Sequence, residues 1–108
     1  MKRVIVRYRV KPDRAAENVE LVRAVYAELH NTGPAGLRYG TFQLEDGVSF
    51  VHIAETEDEH DPLPNVPAFQ RFRAGLRGRC EEAPVVTELH EIGSYRLFED
   101  RDTEALRG

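Results

Sequence analysis

His52 sits in the middle of an apolar run, DGVSFVHIAE at residues 46–55. It is the side chain best suited to moving a proton at neutral pH, because an unperturbed imidazole titrates at about pKa 6.5. Two readings compete for it: a general base, a ligand-orienting donor or a haem ligand on an open sheet face, or a half-buried strand histidine satisfied by a hydrogen-bonding neighbour in a dimer core. Arg7 and Arg9 in RVIVRYRV bring fixed positive charge. Arg9 would stabilise a developing anion, a large catalytic contribution where an enolate forms, and Arg7 would hold an anionic or phenolic ligand. The alternative for both is an ion pair with Glu88 or Glu91, since a guanidinium is costly to bury without a partner. Tyr39, Phe50 and His90 are further ligand-binding candidates: a phenol, a stacking ring and a second imidazole. Cys80 reads as packing, because a reactive thiolate needs an exposed, electropositive setting. His60 with Glu59 and Asp61 lacks the preorganised spacing of zinc or iron motifs, so no metal site is expected.

These groups must be positioned by one domain, since 108 residues have room for a single core. Residues 3–10 alternate with Val4, Val6, Tyr8 and Val10 on one face, the period of a strand with its valines inward. Pro12 breaks it and Asp13 is placed as a helix N-cap. Ala15, Val19, Val22, Val25, Tyr26 and Leu29 then recur every three or four residues as an amphipathic helix ending near Asn31, Gly33 and Pro34. A second strand spans 37–44, and Asp46-Gly47 is a strong hairpin signal leading into a third. The acidic, proline-bearing stretch 56–66 reads as a loop. Pro67 opens a second helix with Phe69, Phe72, Leu76 and Cys80 on its stripe and Arg71, Arg73, Arg77 and Arg79 mostly off it. Pro84 ends it, and 84–98 reads as a long last strand, followed by a charged tail at 99–108.

The order strand, helix, strand, strand, helix, strand describes an α+β, ferredoxin-like βαββαβ domain with a four-stranded antiparallel sheet over residues 1–98. Two helices cover one sheet face and leave the other bare. With Val4, Val6, Val51 and Ile53 taken as core, Ile5, Val48 and Phe50 lie on that bare face, together with His52. Such a patch is an interaction surface, so a homodimer is expected, with the open faces packed together and the last strand reaching across.

VIVRYRVKP leading into a helix, the hairpin LRYGTFQLEDGVSFVHIAET, PAFQRFRAGL and the SYRLF ending resemble the dimeric alpha/beta-barrel superfamily, in particular the small proteins grouped with antibiotic-biosynthesis monooxygenases. The resemblance implies two ferredoxin-like sheets joined into a barrel, a pocket in each chain, and, in some members, oxygenation of aromatic polyketide-like compounds without a cofactor. It carries over no catalytic residue: the oxygenases of that group are associated with an Asn and a Trp, whereas this chain has no Trp and its asparagines, Asn18, Asn31 and Asn65, fall outside strand one. The expected ligand is a small aromatic compound, with His52 as base and Arg9 beside the anion; a non-catalytic ligand-binding dimer is the competing class.

DGVSFVHI also resembles the RNP1 strand of an RNA-recognition motif. Asp46 stands where a cation should meet phosphate and Val48 replaces a stacking aromatic, which leaves Phe50 alone as a platform. With a net charge of −4 and a pI of about 5.6, nucleic acid is not an expected partner. No apolar run approaches the roughly 20 residues of a membrane helix, and the start MKRVIVRYRV alternates instead of forming a signal-peptide core. A cytoplasmic protein is expected.

Overall fold

The computed structural model describes residues 1–57 and 60–97. Its elements are β1 (Lys2–Val10), α1 (Ala15–Thr32), β2 (Leu37–Gln43), β3 (Ser49–Thr56), α2 (Pro67–Ala74), α3 (Leu76–Arg79) and β4 (Cys80–Glu88). The strands form one antiparallel sheet in the order β2-β3-β1-β4, so the fold is α+β and ferredoxin-like, with the helices on one face.

Several boundaries follow directly from local chemistry. The hairpin between β2 and β3 closes on Asp46, whose Oδ1 accepts the N–H groups of Val48 and Ser49 at 2.9 and 2.8 Å. Gly47 takes φ +77° there, a conformation a side chain would strain. Pro67 occupies the first turn of α2, where a missing N–H removes no helix bond. Asp13 does not cap α1. It lies inside a short 3-10 turn, Pro12–Arg14, which carries the chain from β1 into the helix.

The phase of β3 reverses the expectation. Val6 stands opposite His52 and Tyr8 opposite Phe50, so His52 and Phe50 share the helix-covered face with Val4, Val6, Tyr8 and Val10. Phe50 is buried at 2% exposure, inside the core with Tyr8, Val22, Val25 and Phe72. Val48 precedes β3 and packs against that core. Val51 and Ile53 face the open side, opposite Arg7 and Ile5. Both faces of this strand are apolar, so alternation alone does not say which is covered; the polar His52 is tolerated inside because its ring nitrogens are hydrogen-bonded.

The second helix also departs from expectation. It breaks at Gly75, and after the single turn of α3 the chain enters β4 at Cys80, so Cys80 is a strand residue and Pro84 lies within β4. Proline is accommodated because β4 is an edge strand with a register shift between the partners of Arg7 and Arg9. The strand ends at Glu88, well short of the expected long final strand. Beyond Leu89, whose N–H still bonds to Arg3 O at 2.8 Å, the chain to Leu97 is irregular and exposed. Phe98 and the tail expected at 99–108 lie outside the described residues. No helix among them is long and apolar enough to cross a membrane.

The reversed phase makes Phe50 a core residue. Phe50→Ala is expected to cost about 3–5 kcal/mol in urea unfolding, the range for a buried aromatic truncation; a loss under about 1 kcal/mol would return Phe50 to the open face.

Candidate functional site

The cross-strand rows of the sheet set the geometry around His52. Thr41 of β2 and Val6 of β1 flank it directly, while Tyr39 and Tyr8 sit one row away on either side. His52 is only 4% exposed, and both its ring nitrogens are engaged. Nε2 lies 2.7 Å from Tyr8 Oη; Nδ1 lies 2.8 Å from Tyr39 Oη and 2.9 Å from Thr41 Oγ1. Thr41 Oγ1 continues to Tyr26 Oη on α1 at 2.7 Å.

On the other side the chain of bonds runs to a buried arginine. Asn18 Nδ2 on α1 donates to Tyr8 Oη at 2.9 Å, and Arg79 Nε donates to Asn18 Oδ1 at 3.0 Å. Asn18 and Arg79 are 0% and 1% exposed. Arg79 Nη2 also donates to Phe72 O at 2.9 Å, and the guanidinium lies 5.4 Å from the Phe72 ring centroid, an aromatic face that favours a cation. Gly75 leaves room for it: a Cβ there would stand 2.9 Å from Arg79 Nη1.

This end sets the direction of the bonds between Arg79 and His52. A guanidinium has donors only, so Asn18 must turn its oxygen to Arg79 and its NH2 to Tyr8. Tyr8 Oη accepts from Asn18, and among the described residues His52 Nε2 is the acceptor left for its own O–H, which it must donate to be satisfied. The neutral imidazole therefore carries its proton on Nδ1 and donates towards Tyr39 and Thr41. Burial lowers the His52 pKa to about 4, which keeps it neutral at pH 7, and burial raises the phenols: Tyr26 to about 12, Tyr8 and Tyr39 further still.

A cavity of about 560 Å³ opens beside these groups, between the helix face of the sheet and α2 and α3. Tyr8, Tyr39 and His52 reach it among Val4, Val6, Ala54, Leu63, Phe69, Phe72 and Leu76, and it meets the surface at Asp61, Arg73, Arg77 and Val86. An apolar cavity with a few convergent polar groups is the usual form of a small-molecule site.

Of the residues singled out in the sequence, the structure brings together His52 and Tyr39. Phe50 lies in the core beneath them, stacked on Tyr8 at 5.5 Å between centroids, and is not part of the cavity lining. Arg7 and Arg9 project from the opposite face, so Arg9 cannot stabilise an anion formed at His52. Nor do they pair with Glu88 or Glu91: Arg9 lies 3.6 and 3.4 Å from Glu81 and Glu82, and Glu91 goes to Arg3 at 2.8 Å, which also bonds Glu55. His90 is exposed beyond β4. Burial pushes the Cys80 thiol up, consistent with packing. Glu59 is outside the described residues, among which no group of acids, histidines and cysteines is clustered for a metal.

Sequence reasoning missed Asn18, Tyr8 and Arg79 as functional groups. Tyr8 is legible as core, and Asn18 as a polar residue on the helix face of Val22 and Val25, four and seven residues before them. Arg79 stands three residues after Leu76 and seven after Phe72, on the stripe those buried residues mark; its charge, not its spacing, points to the surface.

No protein-family model matches the chain, and no curated protein matches it in sequence. Solved structures do. An antibiotic biosynthesis monooxygenase superposes with a TM-score of 0.69 at 22% identity, over 86% of this chain and 100% of that one. A putative antibiotic biosynthesis monooxygenase from Nitrosomonas europaea gives 0.70 at 17% identity, over 86% and 100%. A mutant of SnoaB, a cofactor-independent oxygenase from Streptomyces nogalater, gives 0.63 at 19% identity, over 89% and 97%. The likeness to antibiotic-biosynthesis monooxygenases is therefore one of fold, over most of the chain.

The buried imidazole makes stability depend on pH. Unfolded, His52 titrates at about 6.5; folded, at about 4. Between these values the unfolded chain binds more protons, so stability falls as pH falls through that window, by on the order of 3 kcal/mol, and the contribution is intact above it. Urea unfolding of wild type and His52→Gln from pH 7.5 to 4.5 is expected to show the extra slope in wild type alone; parallel slopes would contradict a buried, neutral His52.

Proposed function

We propose that the chain binds a small aromatic or polyketide-like compound in the helix-side cavity and oxygenates it with molecular oxygen and no cofactor, as a cytoplasmic homodimer. One observation carries this reading: a neutral imidazole, bonded at both nitrogens to tyrosines that themselves line an apolar, aromatic cavity. The fold shared with SnoaB, a cofactor-independent oxygenase, supports it.

The chemistry follows from the direction of the hydrogen bonds. An activated CH2 of the substrate gives a proton to Tyr8 Oη as Tyr8 passes its own to His52 Nε2. The imidazolium keeps its Nδ1 proton on Tyr39 and Thr41. The resulting carbanion is oxidised by O2, which is reduced as the C–O bond of a peroxide forms. The proton returns from His52 through Tyr8, the second substrate proton leaves with the outer oxygen as water, and the carbon becomes a carbonyl. Tyr39, its oxygen receiving the Nδ1 proton, is free to donate its own O–H to a substrate oxygen and stabilise the anion.

Dimerisation rests on the open face. Ile5, Val51 and Ile53 lie there with Phe42 and Val85, the last two 43% and 62% exposed. Ile92, Tyr95 and Leu97 are exposed in the segment after β4, apolar groups suited to a second copy.

A non-catalytic ligand-binding dimer is favoured by one observation, that an imidazole lowered to about pKa 4 is a weak base. Oxygen consumption separates the two. With anthrone as the probe, wild type is expected to consume one O2 per anthraquinone formed, and Tyr8→Phe to lose at least about 100-fold in rate, the usual scale of a proton-transfer contribution. Binding of anthrone with no oxygen uptake above the solution rate selects the non-catalytic reading. In sedimentation, wild type is expected as a dimer and Ile53→Glu as a monomer; a monomeric wild type overturns the homodimer.

A further inference from the structure

The mouth of the cavity has a charge that the proposed chemistry does not use. Arg73, at the end of α2, and Arg77, in α3, both line it, and neither joins an ion pair or makes a hydrogen bond among the described residues. That contrasts with Arg3, Arg9, Arg14 and Arg23, each with a carboxylate within 3.6 Å. Arg73 lies 5.9 Å from the centroid of Phe69, another lining residue, and a guanidinium held over a ring keeps its N–H edge available for planar, bidentate binding of an acid. Asp61 is the acid on the same lining, and its Oδ1 already accepts the Leu63 N–H at 3.0 Å. Among the described residues, two cations against one carboxylate line this mouth, in a chain of net charge −4.

We infer that the cavity selects an aromatic carboxylate, its ring system among Tyr39, Phe69 and Phe72 and its acid group held at the mouth by Arg73 and Arg77. This rests on the reading above that the cavity is the substrate site, and adds the class of compound. The apolar interior cannot solvate a carboxylate, so the acid must remain at the mouth. The bound ring system is thereby oriented with its far end towards Tyr8 and His52. An uncharged analogue of the same shape fills the interior equally well and leaves the arginines to water.

The test is calorimetric titration of the full chain with 2-naphthoate and 2-naphthamide, for wild type and the Arg73→Gln/Arg77→Gln double variant. Both substituted side chains are exposed, so the fold is expected to be retained. Naphthoate should bind wild type roughly tenfold more tightly than the amide, the scale of a charged hydrogen bond at a partly exposed site. The preference should shrink as salt is raised and vanish in the double variant, whose affinity for the amide is unchanged. Equal affinities in wild type, or a preference that survives in the double variant, overturn the inference and leave the cavity reading standing. Failure of both compounds to bind at millimolar concentration overturns the cavity reading itself.

Discussion

Arg79 can only donate hydrogen bonds, and it is buried against Asn18. From that constraint the arrangement of the polar interior follows: the amide of Asn18 has one permitted orientation, Tyr8 one permitted donor direction, and His52 one permitted tautomer. Burying a guanidinium away from a carboxylate is costly. Here the charge is met by Asn18 Oδ1, by Phe72 O and by the face of the Phe72 ring. Arg79 points inward because it shares the helix stripe of buried Phe72 and Leu76, and Gly75, where the helix breaks, leaves space beside the guanidinium. The same break shapes the cavity, whose wall includes Phe72, Leu76 and Ala74 on either side of it.

The sheet separates two kinds of surface. Its helix-covered face carries the bonded row of Tyr8, His52, Thr41 and Tyr39 and borders a cavity; its open face carries Ile5, Val51 and Ile53 with charged residues at the margins. Arg7 and Arg9 belong to the second surface. Charge on that side is balanced locally, Arg9 by Glu81 and Glu82 and Arg3 by Glu55 and Glu91. The chemistry proposed for His52 therefore depends on phenols and an amide on its own face, with no cation in contact with the imidazole.

Much of the fold was legible in the residues themselves. The alternation of Val4, Val6, Tyr8 and Val10, the α1 stripe from Ala15 to Leu29, the Asp46-Gly47 turn and Pro67 each report local constraints that the tertiary structure keeps. His52 and Tyr39 could be named because a lone imidazole and a phenol in apolar strands invite attention. What could not be read depends on non-local packing. A strand apolar on both sides, SFVHIAET, gives no sign of which side the helices cover, so the face expected for Phe50 and His52 is the opposite of the one they occupy. Pro84 looked like a terminator because only the sheet order reveals that β4 is an edge. Arg79 reads as solvated surface because it is charged, although it keeps the i, i+4, i+7 spacing of Phe72 and Leu76; the carbonyl, amide and ring that accept it inside come from non-local packing.

Arg79 sets the direction of the hydrogen bonds through Asn18 and Tyr8 to His52. The ring nitrogens of His52 in uniformly 15N-labelled protein at pH 7, correlated to the ring carbon protons, report it directly. A protonated Nδ1 and an unprotonated Nε2 are expected in wild type, with mixed tautomers in Asn18→Leu. A proton on Nε2 in wild type, or an imidazolium at this pH, would contradict it.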